Sequence, residues 1–498
     1  MKKIKILDTT LRDGEQTSDV SFKVDEKLII TKYLLEDVKV DAVEVASART
    51  SEGEFEAAKK ICNWAKTNNF LDKIEFLGFV DLKKSADWIK DSGGKRMNLL
   101  CKGSLEHLTK QLKKTPEKHI EDINKTIKYA EEKGIKVNVY LEDVSNGLKN
   151  SKDYVFQLLD NLKGFERVML PDTLGVWSPE ETYNYCREII NKYNYIFDFH
   201  AHNDYGLAVA NSLYAIKAGV KRIHTTVNGL GERAGNCPLS NIVAALNDFG
   251  DYKLNVVEKN LNELSRLVET ISGVKVSSNM PVVGKNVYTQ TCGVHADGDK
   301  KGNIYYNKIL PERFGGQRQY ALGKTSGKAN IQKNLEQLGI KLDQNTLEKV
   351  VKKVVELGDK KQKITNSDLP YIVADILGTP LRHKVEIIDF DLHLNPKKQP
   401  YARVKLKINN QTYEESANGD GQYDAFMKAV QKIYSKIDKS LPDLVDYSVS
   451  IPPGGMTDAL VETAITWEKG ERFKTRGVDS DQTNAAIKAT INMLNIVN

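Results

Sequence analysis

The sequence has little of several features that mark whole classes of protein. Its five cysteines are scattered without paired spacing, which argues against a disulfide framework and a thiolate metal site and fits a reducing cytoplasm. No apolar stretch approaches the length of a membrane span, and "MKKIKILDTT" enters a strand-like run without a signal peptide. The net charge of +6, from 73 basic and 67 acidic residues, is too small an excess to indicate nucleic-acid binding. We therefore expect a cytoplasmic protein that binds neither membrane nor nucleic acid.

The first half of the chain alternates short β-rich runs with helical segments. Eight such units follow one another at a spacing of roughly thirty residues, which is typical of a (β/α)₈ barrel. A doubly wound sheet rarely needs eight units in succession, so it is the second choice. The predicted strands are "IKILDTT", "DAVEVAS", "IEFLGFV", "RMNLLCK", "KVNVYLED", "RVMLPDT", "FDFHAH" and "RIHTTVNG".

The alternation stops near Ser277, and the chain is expected to have three regions. Residues 1–276 form the barrel, residues 277–380 form a linker of an extended arm plus helices, and residues 381–498 form an α+β domain. Helices are predicted over residues 330–357 and 367–377. In the last region "QYDAFMKA" and "QTNAAIKA" each follow a strand-like run and begin a helical segment, which predicts an internal ββ(β)α repeat.

Histidine is also scarce, and two of the eight histidines, His200 and His202, lie one residue apart at the end of the seventh strand. Residues two apart on a strand project to the same side, and in a barrel this end of the strand is the catalytic face. "LDTTLRDGEQ" brings Arg12 and Asp13 to the same rim, and "NGLGERAGN" ends there in Asn236. One carboxylate, two imidazoles and one amide oxygen suit a divalent cation such as Zn, Mn or Mg, with room left for a substrate. The alternative, two hydrogen-bonded surface histidines, does not account for four such groups at one rim.

Two further strands end in polar residues. "LEDVSNG" places Glu142 at the end of the fifth strand, and "LPDTLG" places Asp172 and Thr173 at the end of the sixth. Each residue alone could be a helix cap or part of a surface ion pair. Their position on the same rim predicts a site with acid–base and hydrogen-bonding groups beside the cation.

Together "LDTTLRDGEQT", "LEDVSNG", "LPDTLGV", "HAHNDYGLAVANSL" and "NGLGERAGNCPL" resemble the motifs of the acetyl-CoA-dependent condensing enzymes of the DRE-TIM metallolyase superfamily. The nearest are 2-isopropylmalate synthase, homocitrate synthase and (R)-citramalate synthase. "GVHADG" and "GDGQYDAF" are similar to the later domains of that family, so the likeness covers essentially the whole chain. It implies a homodimer that condenses acetyl-CoA with a 2-oxoacid, depends on a divalent metal and carries a carboxy-terminal regulatory domain that binds an amino acid.

The resemblance also implies a role for each site residue. The metal ligands would be the carboxylate and two imidazoles named above, with Asn236 as a further or water-linked ligand. Arg12 would stabilise the alkoxide that forms on the 2-oxoacid, and Thr173 would hold its carboxylate. Glu142 and His295 would form the acid–base pair, with Tyr305 nearby. In the family this histidine comes from the partner subunit; the alternative for His295 is a loop histidine hydrogen-bonded to its neighbours.

The size of the pocket should decide which 2-oxoacid is used. The rim positions of strands three, four and five are Leu77, Leu100 and Tyr140, all bulky, and 2-isopropylmalate synthases resemble "SPEDA" with a small residue at the position of Tyr140. This favours citramalate synthase, which uses pyruvate and leads to isoleucine, over 2-isopropylmalate synthase, which uses 2-oxoisovalerate and leads to leucine. The two leucines could instead be barrel-core residues.

Three other functions are considered. Homocitrate synthase is the less favoured condensing enzyme. A lyase of the superfamily would carry a glycine-rich cysteine loop; Cys237 in "GNCPL" could mimic it but is better explained as a small buried residue. The third, a non-catalytic amino-acid sensor, is disfavoured because the predicted catalytic residues are intact.

The effector is expected to bind near Tyr423 and Asp424. "GDGQYDAF" departs from the "GDGPVDA" that leucine-inhibited enzymes resemble, so isoleucine is the better candidate. The alternative is a plain helix start, with Asp424 supplying negative charge to the first turn.

Overall fold

A computed structural model describes residues 1–290, 307–316, 318–359, 364, 368–377, 384–395, 397–450 and 461–497. Two residues of the predicted acid–base site, His295 and Tyr305, lie outside these ranges, as does most of the predicted extended arm. The described chain divides into two compact units: residues 1–288 with 307–316, and residues 289–290 with those from 318 onward. No helix in these ranges is long and apolar enough to cross a membrane.

The first unit is a closed barrel of eight parallel strands in sequence order, as predicted. The first strand pairs with the last in the register Lys5↔Arg222 to Asp8↔Thr225, and this pairing closes the sheet and excludes the doubly wound alternative. The strands are β1 (Lys5–Asp8), β2 (Ala42–Ser47), β3 (Ile74–Phe79), β4 (Arg96–Lys102), β5 (Lys136–Glu142), β6 (Arg167–Asp172), β7 (Phe197–Ala201) and β8 (Arg222–Thr225).

Helices follow the strands and share the main apolar core with them. Their starts follow local sequence signals: Ser178 accepts a hydrogen bond from the Glu181 amide (3.2 Å), and the Glu181 carboxylate accepts one from the Ser178 amide (2.9 Å), which is a capping box. The helices of this unit are α1 (Val24–Lys32), α2 (Glu52–Thr67), α3 (Lys84–Asp91), α4 (Pro116–Glu132), α5 (Val144–Asn150), α6 (Lys152–Asn161), α7 (Pro179–Lys192), α8 (Ala208–Ala218), α9 (Leu239–Phe249), α10 (Leu261–Ser272) and α11 (Pro311–Phe314). Segments Tyr33–Asp37 and His107–Leu112 are π-helical.

A network of charged and amide side chains crosses the barrel strands. Asn98 donates to Glu44 (2.7 Å), Asn138 donates to Asn98 (2.8 Å), and Arg222 joins Glu75 (2.6 Å) to Asp198 (2.7 Å). Because buried charges are tolerated only when they are paired and hydrogen-bonded, these residues depend on one another. The network members are Glu44, Glu75, Asn98, Asn138, Arg167, Asp198 and Arg222.

Replacing Asp198 by asparagine is expected to lower the free energy of unfolding by about 3–5 kcal/mol, since it removes the carboxylate that pairs with both Arg167 and the buried Arg222 and leaves Arg222 with Glu75 alone. Burial raises the pKa of Asp198, but Arg222, His224 and Arg167 outweigh it and hold the pKa below its usual range. The stabilisation is therefore present above the unfolded-state pKa of about 3.9 and is lost as the pH falls towards the folded-state pKa. Urea-induced unfolding of both proteins measures the difference.

The control for this variant is Glu166→Gln. Glu166 is partly exposed and pairs with Arg96 and with Lys136 (3.1 Å). Surface ion pairs of this kind contribute up to about 1 kcal/mol. Equal losses in the two variants would contradict a stabilising role for the buried network.

The second unit contains a helical region and a separate β-rich region. The helical region consists of α12 (Lys328–Gln337), α13 (Gln344–Asp359) and α14 (Leu369–Leu377), packed around an apolar core of their own. The single helix predicted over residues 330–357 is wrong: Gly339 adopts a left-handed φ of 69° after α12, and the chain restarts its helix at α13. Glycine tolerates this conformation without a side-chain clash.

The β-rich region confirms the predicted repeat, with a third strand in each copy. The first copy is the antiparallel sheet β9 (Val385–Asn395), β10 (Lys398–Ile408) and β11 (Gln411–Asn418), followed by α15 (Gln422–Ser435). The second is β12 (Asp443–Ser450), β13 (Val461–Lys469) and β14 (Glu471–Asp479), followed by α16 (Gln482–Val497). Side chains of both copies contribute to one apolar cluster that includes Phe426 and Trp467.

Candidate active site

Asp13, His200 and His202 come together at the carboxyl ends of β1 and β7. One ligand atom from each lies within 4.8 Å of the others, and all three residues are buried. The chain after β1 turns tightly because the amides of Arg12 and Asp13 donate to the Thr9 carbonyl (3.1 and 2.8 Å), which brings the Asp13 carboxylate back over the barrel. The structure therefore brings the Asp13 carboxylate next to the imidazoles of His200 and His202, as the sequence predicts.

The donor set fits a divalent cation. In the described part of the chain, Asp13 Oδ1, His202 Nδ1 and Asn236 Oδ1 are buried atoms without a hydrogen-bond partner. Asn236 pairs with His202 in an isolated bridge, and its Nδ2 donates to the Leu230 carbonyl (3.1 Å), so its Oδ1 is the atom left for a ligand. Buried unpaired acceptors cost about 1–3 kcal/mol each, and a shared cation would satisfy them.

The charges of this site also suit a cation. Burial lowers the pKa of His202 to about 3, so its imidazole is neutral near pH 7, the form that binds metals. Burial raises the pKa of Asp13, but the positive charge of Arg12 and the hydrogen bond with His200 outweigh it and hold this pKa well below its usual range. The site therefore offers a cation the ionised carboxylate of Asp13 and the neutral imidazole of His202.

Arg12 lies between two carboxylates and keeps one donor group unused. Its Nη1 donates to Asp13 (2.8 Å) and its Nε donates to Glu44, while Nη2 is buried without a partner. Its guanidinium lies 5.9 Å from the centroid of the Tyr140 ring. A fixed, partly unpaired guanidinium beside a cation site can stabilise negative charge that develops on a substrate oxygen.

Sequence reasoning missed Glu44, which fixes Arg12. A signal was present: a single polar residue occurs within apolar strand runs, such as Glu44 in "DAVEVAS", Asn98 in "RMNLLCK" and Asn138 in "KVNVYLE". Since successive strand residues face opposite sides, these polar positions share the inward face of the barrel.

Glu142, the predicted acid–base residue, ends β5, and its carboxylate contacts the Lys102 ammonium. Lys102 ends β4 and was not singled out from the sequence. The two predicted partners of Glu142 lie outside the described residues, so the structure places only this half of the acid–base site.

Asp172 is the last residue of β6 and Thr173 follows it, and the two residues have different contacts. Thr173 Oγ1 accepts from the Asp143 amide (2.9 Å), which leaves its hydroxyl hydrogen for a ligand, and its carbonyl accepts from Arg233 (2.8 Å). Asp172 accepts from the amides of Val176 and Trp177 (2.9 and 3.1 Å), so it holds the loop in place.

Leu100 and Tyr140 are neighbours in the β4–β5 register and share a small apolar cluster with Met169. The Tyr140 ring lies 5.7 Å from the His200 ring and is 5% exposed. Leu77 is about as buried as Tyr140, but its register partner on β4 is Asn98, two positions before Leu100. The structure therefore brings Leu100 and Tyr140 together beside the candidate cation site.

The two predicted effector residues lie in the first turn of α15. The Tyr423 hydroxyl hydrogen-bonds Thr490 of α16 (2.7 Å) and therefore links the two repeats. Asp424 accepts from the Asp420 amide (2.9 Å) and pairs with Lys428 (2.7 Å). These contacts give both residues structural partners, and their role towards an effector stays a prediction.

A (β/α)₈ barrel with a candidate cation site at the carboxyl ends of its strands is the architecture of a metal-dependent barrel enzyme. The chain belongs to the HMGL-like family, which matches residues 3–271. Residues 282–362 match the homocitrate synthase post-HMGL domain-like family, and residues 363–498 match the LeuA allosteric (dimerisation) domain.

Full-length relatives carry two kinds of name. A probable 2-isopropylmalate synthase of Methanopyrus kandleri is 35% identical, over 99% of this chain and 98% of the relative. In Methanocaldococcus jannaschii, (R)-citramalate synthase CimA is 34% identical over 99% of both chains, and 2-isopropylmalate synthase is 35% identical over 99% of this chain and 94% of its own length. The predicted resemblance to these synthases is confirmed.

Proposed function

We propose that this protein condenses acetyl-CoA with pyruvate and releases (R)-citramalate and CoA. The observation that carries the proposal is the juxtaposition of the Asp13–His200–His202 donor set with the free Nη2 of Arg12 and the bulky ring of Tyr140. The first two features suit a 2-oxoacid whose ketone must become an alkoxide, and the third suits a small side chain on that acid. The names of the relatives support a condensing synthase but are divided between two substrates.

Each group has a definite part in the proposed reaction. A divalent cation held by Asp13, His200, His202 and Asn236 would supply Lewis-acid polarisation of the ketone. Glu142, with the predicted partner His295, accepts a methyl proton from acetyl-CoA, and the resulting carbon attacks the ketone carbon. Arg12 stabilises the negative charge left on the former ketone oxygen.

Other residues are proposed to position the 2-oxoacid, and hydrolysis of the thioester completes the reaction. Thr173 donates its free hydroxyl hydrogen to the carboxylate of the 2-oxoacid. Leu100 and Tyr140 line the space around its side chain, with Leu77 one layer deeper in the barrel. Tyr305 is proposed to assist the acid–base pair. The acid–base pair returns a proton to the alkoxide, which becomes the hydroxyl group of the product. Water then hydrolyses the thioester, which releases CoA and makes the condensation effectively irreversible.

The second candidate is 2-isopropylmalate synthase, because relatives of that name are as similar as those named citramalate synthase. The deciding experiment follows CoA release with pyruvate and with 2-oxoisovalerate. We expect the larger kcat/KM with pyruvate; a preference for 2-oxoisovalerate would establish the second candidate instead.

Replacing Tyr140 by serine is expected to shift the ratio of kcat/KM towards 2-oxoisovalerate by about 10–200-fold, since the ring occupies space that an isopropyl group needs. Tyr140→Phe keeps the ring and serves as the matched control, with the ratio unchanged. The assay is CoA release with each acid over a range of concentrations. Equal selectivity in the serine variant and the wild type would remove Tyr140 as the residue that sets substrate size.

We further propose that residues 381–498 form a regulatory domain, residues 277–380 connect it to the catalytic region 1–276, and the cytoplasmic protein functions as a homodimer. The match of residues 363–498 to a LeuA allosteric (dimerisation) domain supports a regulatory, dimer-forming carboxy-terminal region, although the matched domain begins before residue 381. Isoleucine is the proposed effector, bound near Tyr423 and Asp424, and kinetics with added isoleucine or leucine distinguish the two.

A further inference from the structure

An ion pair lies where strands β4 and β5 end. Lys102 and Glu142 are the last register partners of the two strands, and the ammonium contacts the carboxylate. The side chain of Lys102 is 11% exposed and that of Glu142 is 23% exposed. This pair is therefore more enclosed than ordinary surface pairs, which contribute little because water screens them.

The backbone of Lys102 is held from two other elements. Its amide donates to His119 Nε2 on α4 (3.1 Å), and its carbonyl accepts from the Tyr154 hydroxyl on α6 (2.8 Å). Burial lowers the pKa of His119 to about 4, so this imidazole is neutral and can accept. The backbone of Lys102 is therefore held in place independently of the ion pair that its ammonium makes.

Gly103, which follows Lys102, links the ends of β4 and β5. Its amide donates to the Glu142 carbonyl (2.6 Å), and a Cβ at this position would lie 2.8 Å from that oxygen. Such a distance is too short for a side chain, so glycine allows the two strand ends to approach closely. The backbones that carry Lys102 and Glu142 are therefore joined directly.

The ion pair lies on the same strand face as Leu100 and Tyr140, the residues proposed to surround the substrate side chain. Leu100 and Tyr140 are register partners two positions before Lys102 and Glu142, and alternate residues of a strand project to the same side. The pair therefore continues the inward face that Leu100 and Tyr140 begin. An ammonium fixed at the carboxyl end of β4 can hold the Glu142 carboxylate in one orientation next to Leu100 and Tyr140.

We propose that Lys102 is a positioning residue for the proposed reaction: its ammonium holds the Glu142 carboxylate in place and directs it at the acetyl methyl group. The inference rests on the proposed function, in which Glu142 accepts the methyl proton. Lys102 acts through Glu142 and makes no contact of its own with the reacting atoms.

The test is a double-mutant cycle with Lys102→Met, Glu142→Gln and the variant that combines them, assayed by CoA release with pyruvate. Lys102→Met is expected to lower kcat at least about tenfold and to leave the KM for pyruvate within about twofold. In the Glu142→Gln background, Lys102→Met should cause no further loss of kcat, because the carboxylate on which Lys102 acts has been removed. Lys102→Arg, which keeps the charge, should restore most of the rate.

Two further variants separate this role from a structural one. Lys102→Gln keeps a hydrogen-bond donor without the charge and is expected to show the same loss of kcat, so the result does not depend on one substitution. Lys110→Met removes a lysine that is 76% exposed and pairs with Glu106, and it should leave the rate unchanged. Circular dichroism melting of each variant checks that the fold is retained.

Wild-type kcat in Lys102→Met, or an equal loss in both backgrounds, would overturn the inference. Wild-type turnover in Glu142→Gln would refute the role of Glu142 in the proposed function and, with it, the role of Lys102. Loss of turnover in Glu142→Gln together with normal turnover in Lys102→Met would overturn the inference alone.

Discussion

Replacing Arg12 by glutamine is expected to lower kcat for CoA release by about 10²–10³-fold, the loss seen when a fixed oxyanion donor is removed. The expectation follows from its contacts: Nε and Nη1 are held by Glu44 and Asp13, and the buried Nη2 remains free for a substrate oxygen. Steady-state kinetics with pyruvate and acetyl-CoA measure the effect.

The matched variant for Arg12 is lysine. It keeps the positive charge between Glu44 and Asp13 but cannot reproduce the planar fork of donors, so its kcat should fall between those of the wild type and the glutamine variant. Both variants should still bind a divalent cation by calorimetry. Turnover of the glutamine variant within about twofold of the wild type would exclude Arg12 as the group that stabilises the alkoxide.

Replacing Asp13 by asparagine is expected to weaken binding of a divalent cation by at least about 100-fold, because a change in a ligand should exceed the 10–100-fold cost of losing a supporting hydrogen bond. Asparagine keeps the shape of the side chain and removes the only carboxylate of the candidate ligand set. Turnover should fall in parallel. Calorimetric titration of the purified variant with Mn²⁺ or Zn²⁺ gives the affinity.

The control for Asp13 is Asp204→Asn at the same rim. Asp204 is paired with Arg233 through two hydrogen bonds (2.8 and 3.0 Å), and its substitution should leave cation affinity unchanged. Equal affinity in the Asp13 and Asp204 variants would show that the Asp13 carboxylate is not a ligand.

The barrel and its candidate cation site could be predicted because both depend on local patterns. Apolar runs separated by helical segments specify the strands, and the spacing of His200 and His202 specifies that their imidazoles face one way. The alternation also specifies that every strand ends at the same rim, which is sufficient to bring Asp13 to the two histidines.

The contacts that orient the candidate catalytic groups could not be predicted in the same way. Arg12 meets Glu44 from 32 residues away and Lys102 meets Glu142 from 40 residues away. Both pairs depend on strand register and on side-chain direction, and neither is encoded in a short motif. The break at Gly339 was missed because helical periodicity continues on both sides of it. Gly339 takes a left-handed φ after the first helix, and Asp343 accepts from the amides of Asn345 and Thr346 where the next helix begins.

The most direct test of the account is to strip the protein with a chelator, titrate it calorimetrically with Mn²⁺, Zn²⁺ or Mg²⁺, and follow CoA release at each step. The account predicts that the stripped protein is inactive, that one ion binds per chain, and that turnover rises with occupancy. Full turnover of the stripped protein, or binding of the ion unchanged by Asp13→Asn, would contradict it.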